Sequence, residues 1–260
     1  MTVTIAGCGD LGIETGLRFA ASGQRVVGLR TRAGLVPAPI EGRAADLRRA
    51  VPTIDADTAV LVVALAAGSR DVDEYRATYV DGLRNVLDGV DASGASPRVL
   101  LVSSTSATGG TATGDVLLEA EALLRSRVTD AAVVRMSGIY GPGRTRLVDQ
   151  VRTGVVSDGA RMTNRIHRDD AAAALVHLAA LDDLPPFVIG TDDEPVRLGE
   201  VHRFLAASLG VSLEVVPEPG SGGGVRQSND VLRSTGFTFT YPTYREGYRA
   251  VLAGEGTRHP

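Results

Sequence analysis

No lysine occurs in this chain; all 27 of its basic residues are arginine. That excludes Schiff-base chemistry, a phosphate-binding lysine of the Walker kind and lysine-assisted proton transfer, because a guanidinium stays protonated and is no amine nucleophile. Tryptophan is also absent, and the arginine-, alanine- and glycine-rich composition reads as the mark of a GC-rich source. The single cysteine, Cys8, excludes an internal disulfide framework and any multi-cysteine metal site. Four histidines, His167, His177, His202 and His259, lack i,i+4 pairing and metal-ligand spacing, so no metal is expected. There is no basic stripe, and a net charge of −4 argues against general affinity for nucleic acid or anionic membrane. Ser103-Ser104 has no G-x-S-x-G elbow, so a hydrolase triad has no support. Long apolar runs are missing too. Ala59 to Ala67 falls short of the roughly 20 residues of a membrane span, and Val3 to Ala6 is too short for a signal-peptide core. A cytoplasmic protein is expected.

What is present is an ordinary globular composition, 43% hydrophobic over 260 residues. A chain of this length buries roughly 70–75% of its unfolded surface and needs no staples. It suits one elaborated domain, or a domain with a modest appendage. Short β-rich runs alternate with amphipathic segments. Thr2 to Ala6, Arg25 to Arg30, Thr58 to Leu65, Arg98 to Val102 and Ala131 to Met136 read as strands. Helical spacing fills the gaps, as at Tyr75, Tyr79, Leu83, Val86 and Leu87 before Gly89. Apolar strands alternating with helices predict a doubly wound α/β fold, a parallel sheet covered on both faces. After Met136 the rhythm loosens, which predicts a small C-terminal substrate-binding lobe. The expected division is a large doubly wound domain over 1–190, with 143–164 contributing to the small lobe, and that lobe over 191–260. Pro217 to Gly224 reads as a linker or binding loop, and the tail beyond Gly254 is expected to fray.

Gly7-Cys8-Gly9-Asp10-Leu11-Gly12 matches G-x-G-x-x-G, directly after the first strand and at the opening of a helix. Gly7 permits the tight turn, Gly9 lets backbone approach a pyrophosphate, and Gly12 allows close helix–strand packing. Asp10 either caps the helix or weakens phosphate binding. NAD-binding sheets place an acid about 20 residues further on to hold the ribose. Here that region reads Gly28-Leu29-Arg30-Thr31-Arg32, without one. Arg30 and Arg32 suit the extra phosphate of NADP, so NADP is the expected cofactor and residues 1–190 the expected dinucleotide-binding Rossmann domain. NAD is the alternative if both arginines are solvated turn residues.

Together these features resemble the extended short-chain dehydrogenases/reductases of the NAD-dependent epimerase/dehydratase family, across residues 1–253. The resemblance rests on the glycine loop and on Ala45-Asp46-Leu47, Ala66-Ala67-Gly68 and Ser103-Ser104-Thr105. It rests further on Arg135-Met136-Ser137-Gly138-Ile139-Tyr140-Gly141-Pro142-Gly143-Arg144 and on Asn164-Arg165-Ile166-His167-Arg168-Asp169-Asp170. It implies cofactor contacts at Gly7, Gly9, Asp10, Leu11, Gly12, Asp46, Leu47, Ala66, Ala67, Gly68 and Ser103. It also implies that Thr105 orients a substrate hydroxyl or carbonyl; the alternative is a polar residue satisfying backbone at a strand end. Tyr140, on a loop crossing near nicotinamide and substrate, would supply a proton, or else packs as a buried aromatic.

The chain departs from the family at Y-x-x-x-K. Thr113 stands at the tyrosine position and Leu117 at the lysine position. Neither side chain transfers protons near neutral pH. The resemblance therefore implies an NAD(P)-dependent oxidoreductase or epimerase acting on a small hydroxyl or carbonyl compound, sugar-nucleotide-like compounds included. The competing reading is a non-catalytic NADP-binding redox sensor. A homodimer through Asp71–Val90 and Val116–Arg125 is an expectation from fold analogy.

Overall fold

The computed structural model describes residues 1–157, 159–216 and 223–260. Its central sheet holds β1 (Thr2–Ala6), β2 (Arg25–Arg30), β3 (Glu41–Ala44), β4 (Thr58–Val63), β5 (Arg98–Ser104), β6 (Ala131–Met136) and a seventh strand, Phe187–Gly190. The strands are parallel and ordered β3-β2-β1-β4-β5-β6 followed by Phe187–Gly190. Five of the six residues of β4 are buried, which is why the strand reads as a nearly unbroken apolar run. The order reverses between β1 and β4, and at such a switch point the carboxyl ends of the strands open a crevice. This is the doubly wound architecture read from the sequence.

The helices follow from local signals. α1 (Asp10–Ala21) links β1 to β2. After β4 come α2 (Val72–Tyr75), a π-helical turn over Arg76–Asp81, and α3 (Gly82–Ser93), which ends on Gly94 in the left-handed region at φ 71°. α4 (Ala112–Arg127) starts at Thr111, whose hydroxyl accepts the Gly114 N–H. Leu83, Val86 and Leu87 of α3 and Leu124 of α4 close over Leu61 and Val99 of the sheet.

Charge, not apolar contact, ties the ends of β2 and β3. Asp55 accepts hydrogen bonds from Arg43 at 2.6 Å and Arg25 at 2.7 Å, and Glu41 also binds both arginines. The Arg43 hydrogen bonds above all, with those of Arg25, hold the Asp55 carboxyl down from 3.8 to about 2. A carboxyl lowered on folding contributes stability above its unfolded pKa and loses it as pH falls through the folded one. Asp55→Asn is therefore expected to flatten the fall in thermal stability between pH 4 and 2, by about 1 kcal/mol after solvent screening. Melting curves across that range test this; parallel acid limbs for both proteins would refute it.

The chain forms two compact units. The first is Met1–Arg135 with Ala172–Val188 and His259–Pro260, and the second is Met136–Ala171 with Ile189–Arg258. Residues 143–164, assigned by sequence to the small lobe, fall within Met136–Ala171 of the second unit. That unit holds α5 (Arg146–Arg152), the start of α6 (Arg168–Ala179), α7 (Leu198–Leu209), α8 (Asp230–Ser234) and α9 (Tyr244–Leu252). Three two-strand pairs join Gly138–Tyr140 to Arg165–His167, Met162–Thr163 to Val196–Arg197, and Val155–Ser157 to Glu214–Val216. Of the stretch Pro217 to Gly224, residues 217–222 lie outside the described residues. Among the described residues no helix is long and apolar enough to cross a membrane.

Candidate functional site

Parallel pairing aligns the carboxyl ends of β1, β2, β4 and β5 along one edge of the sheet. The glycine loop, Arg30, Ala66–Gly68 and Ser103–Thr105 all leave the sheet at that edge. Gly7 turns the chain with φ +86°, and a Cβ there would fall 2.5 Å from the Ala64 carbonyl oxygen. A Cβ on Gly12 would fall 2.8 Å from the Gly7 carbonyl oxygen. The protein's own packing thus demands both glycines. Gly9 is different: a Cβ there meets nothing within 4 Å. The side chain it lacks would stand in open space in front of a helix.

That helix has Gly9 as its N-cap with no side-chain cap, and its first internal bond runs from Ile13 N–H to the Gly9 carbonyl. The N–H groups of Leu11 and Gly12 precede this ladder, and together with the helix dipole they suit an anion. Leu11 itself is 8% exposed, so its offer to a ligand is backbone. Cys8 fills the space over Gly28 of β2, and burial pushes its thiol up to about 12. It is an inert filler. Asp10 is buried and accepts a hydrogen bond from the His259 N–H at 3.1 Å.

Arg30 is half-buried at the end of β2, and Arg32 is exposed just beyond. Arg30 Nη1 donates to the Pro260 main-chain oxygen at 2.9 Å. Among the described residues neither arginine is paired with an Asp or Glu, unlike Arg25, Arg43, Arg76, Arg127 and Arg135. Asp46 is half-buried and accepts from Arg48 N–H and Nε. Leu47 is 5% exposed within the core, with its carbonyl held by Asn85 at 2.8 Å. In the loop after β4, Ala67 N–H donates to Tyr79 Oη and Gly68 N–H to Glu74 Oε1, while Ala66 is exposed. Ser103 is buried and donates to Glu121 at 2.7 Å. Thr105 is half-buried, one residue past β5.

One solved structure, described as an NAD-dependent epimerase/dehydratase from Methylobacillus flagellatus, is 33% identical to this chain, covers 97% of each chain and superposes with a TM-score of 0.79. The chain belongs to the NAD-dependent epimerase/dehydratase family. Two further structures share the fold. A UDP-glucuronic acid 4-epimerase from Bacillus cereus, in complex with NAD, is 14% identical over 98% of both chains with a TM-score of 0.80. RMD from Pseudomonas aeruginosa, complexed with NADPH, is 18% identical over 98% of this chain and 99% of its own, with a TM-score of 0.74. No protein-family model and no curated protein matches the sequence.

In this family member, α4 carries Thr113, half-buried in its first turn, and Leu117, 3% exposed. The position where the family's lysine is expected is thus sealed in apolar packing. Tyr140 belongs to the second unit and is 4% exposed. Its ring lies 4.5 Å from that of Tyr248 and edge-on to His167 at 5.4 Å. Its hydroxyl has no hydrogen-bond partner among the described residues, and α9 packs against it at Gly247, which has no side chain to intrude. Burial pushes the phenol's pKa well up, with the Asp192 carboxyl adding to the shift. This setting favours the packing role over proton donation. Asp192, 1% exposed, is itself raised by burial to about 7 against the pull of Arg165.

Two features escaped the sequence reading. Glu121 is a wholly buried acid on α4, and its signal was available: it lies four residues from Leu117 and three from Leu124 on the buried face. The expected fraying beyond Gly254 is corrected by His259, which is 9% exposed and hydrogen-bonded. Nothing in the local sequence of the tail announces that contact.

Proposed function

We propose that the first unit binds NADP, and that the chain is an oxidoreductase or epimerase acting on a small hydroxyl or carbonyl compound, sugar-nucleotide-like compounds included. The observation carrying this reading is the open space in front of Gly9, between two glycines that packing requires. The N–H groups of Leu11 and Gly12 would hold the pyrophosphate, and Arg30 and Arg32 the 2′-phosphate. Asp46 would face the adenine end, with Ala66–Gly68 and the backbone of Ser103 along the cofactor. Bound there, the nicotinamide supplies a hydride acceptor or donor. Thr105, at the carboxyl end of β5, would orient the reacting oxygen. The complexes with NAD and NADPH among proteins of the same fold support a nicotinamide dinucleotide.

Calorimetric titration tests the cofactor. NADP is expected to bind more tightly than NAD. Arg30→Ala is expected to lose at least about tenfold for NADP, the worth of one charge-assisted phosphate contact, with little change for NAD. Equal affinities, or indifference of the variant to the 2′-phosphate, would refute the assignment. A non-catalytic redox sensor is the second reading, favoured by the burial of Leu117 and of the Tyr140 phenol. Following NADPH absorbance with hydroxyl and carbonyl compounds separates the two, since a sensor gives no turnover with any of them.

A further inference from the structure

The chain returns to the first unit at His259–Pro260, and it does so on the residues assigned above to the cofactor. The His259 N–H donates to Asp10 Oδ1 at 3.1 Å, and His259 Nε2 lies 3.0 Å from Glu14 Oε2 one turn further along α1. The Pro260 main-chain oxygen then accepts from Arg30 Nη1 at 2.9 Å. These three contacts stretch from the first turn of α1 to the end of β2. The guanidinium best placed to take a 2′-phosphate is therefore already engaged, through one hydrogen bond to Pro260.

We propose that His259–Pro260 is an internal strap that competes with the 2′-phosphate of the dinucleotide for Arg30. The inference rests on the dinucleotide reading of the glycine loop and adds to it a regulatory element. Pro260 holds the guanidinium through a single hydrogen bond, whereas a phosphate binds it through several that are charge-assisted and bidentate. The phosphate therefore displaces the strap, and affinity for NADP is lowered by whatever the strap contacts contribute. NAD brings only ribose hydroxyls to this position and has less need of Arg30. The strap thus tempers the preference for NADP and makes a ligand with a 2′-phosphate the agent that frees the segment.

The test compares the full chain with a variant lacking His259 and Pro260, titrated calorimetrically with NADP, NAD and 2′,5′-ADP. Removal is expected to tighten NADP and 2′,5′-ADP by about tenfold and NAD by less. Hydrogen exchange on the unmodified protein gives a second reading that needs no variant: the His259 amide is expected to exchange faster once 2′,5′-ADP is bound. Unchanged or weaker binding of NADP by the shortened chain, or an equal gain for NAD, overturns the strap while leaving the cofactor reading in place. So does a His259 amide that 2′,5′-ADP leaves unchanged or further protected. Binding of no dinucleotide by either chain overturns the cofactor reading, and the strap with it.

Discussion

Glu121→Ala is expected to cost about 3–5 kcal/mol, the range for removing one partner from a buried ion pair, and so a large part of a stability of roughly 5–15 kcal/mol. Glu121 is fully buried on α4. Its carboxylate accepts two hydrogen bonds from Arg135 on β6, each at 2.7 Å, one from Ser103 on β5 at 2.7 Å, and one from Arg125 at 3.3 Å. The Arg135 guanidinium also lies over the Phe187 ring, 5.1 Å from its centroid. One acid therefore joins a helix to two adjacent strands. Its loss strands a largely covered arginine and an inward-facing hydroxyl, and leaves a void. Glu121→Gln keeps the volume and an acceptor for Ser103, so a smaller loss of about 1.5–3 kcal/mol is expected, the worth of hydrogen bonds to a charged group. Denaturant unfolding of both variants measures this. A Glu121→Ala protein within 1 kcal/mol of the parent would show that the network does not couple these elements.

That network also shows where sequence reading succeeds and where it stops. β4 and the strand–glycine–helix start were legible because each is local: an apolar run has one plausible state, and Gly7 and Gly12 sit where backbone contacts forbid any side chain. Arg30 was legible as a base standing where an acid is usual. Glu121 was harder, because its partners Ser103 and Arg135 lie 18 and 14 residues away, on strands whose adjacency only the fold creates. The strap was beyond reach, since His259 meets Asp10 across 249 residues of sequence. Tyr140 marks the opposite difficulty. Its place in a family-like loop was visible, but its packing against Tyr248 and Gly247 depends on α9, more than a hundred residues later. Ser103 shows the same limit on a smaller scale, because its hydroxyl turns toward a helix instead of the sheet edge.

The sharpest separation of binding from folding comes at Gly9. Gly9→Val is expected to lower dinucleotide affinity by at least about 100-fold while changing stability by only about 1 kcal/mol. The backbone there is extended, at φ −93° and ψ −157°, which any residue adopts, and a Cβ meets nothing within 4 Å. The folded protein alone gives no reason for glycine at this position beyond its modest merit as an N-cap, where an apolar residue costs about 0.5–1 kcal/mol. A ligand gives a strong one. A branched side chain in that space would hold a pyrophosphate away from the Leu11 and Gly12 N–H groups. Two charge-assisted hydrogen bonds at about 1.5 kcal/mol or more each amount to at least a hundredfold in affinity. Gly7→Ala makes the contrast: with φ +86° and a Cβ 2.5 Å from the Ala64 carbonyl oxygen, it should destabilise the fold by several kcal/mol before any ligand is added. Thermal melts and NADP titrations of the two variants give opposite patterns if the reading holds. A Gly9→Val protein that melts like the parent and still binds NADP like the parent would mean that no phosphate passes in front of Gly9, and the proposed cofactor site would fall with it.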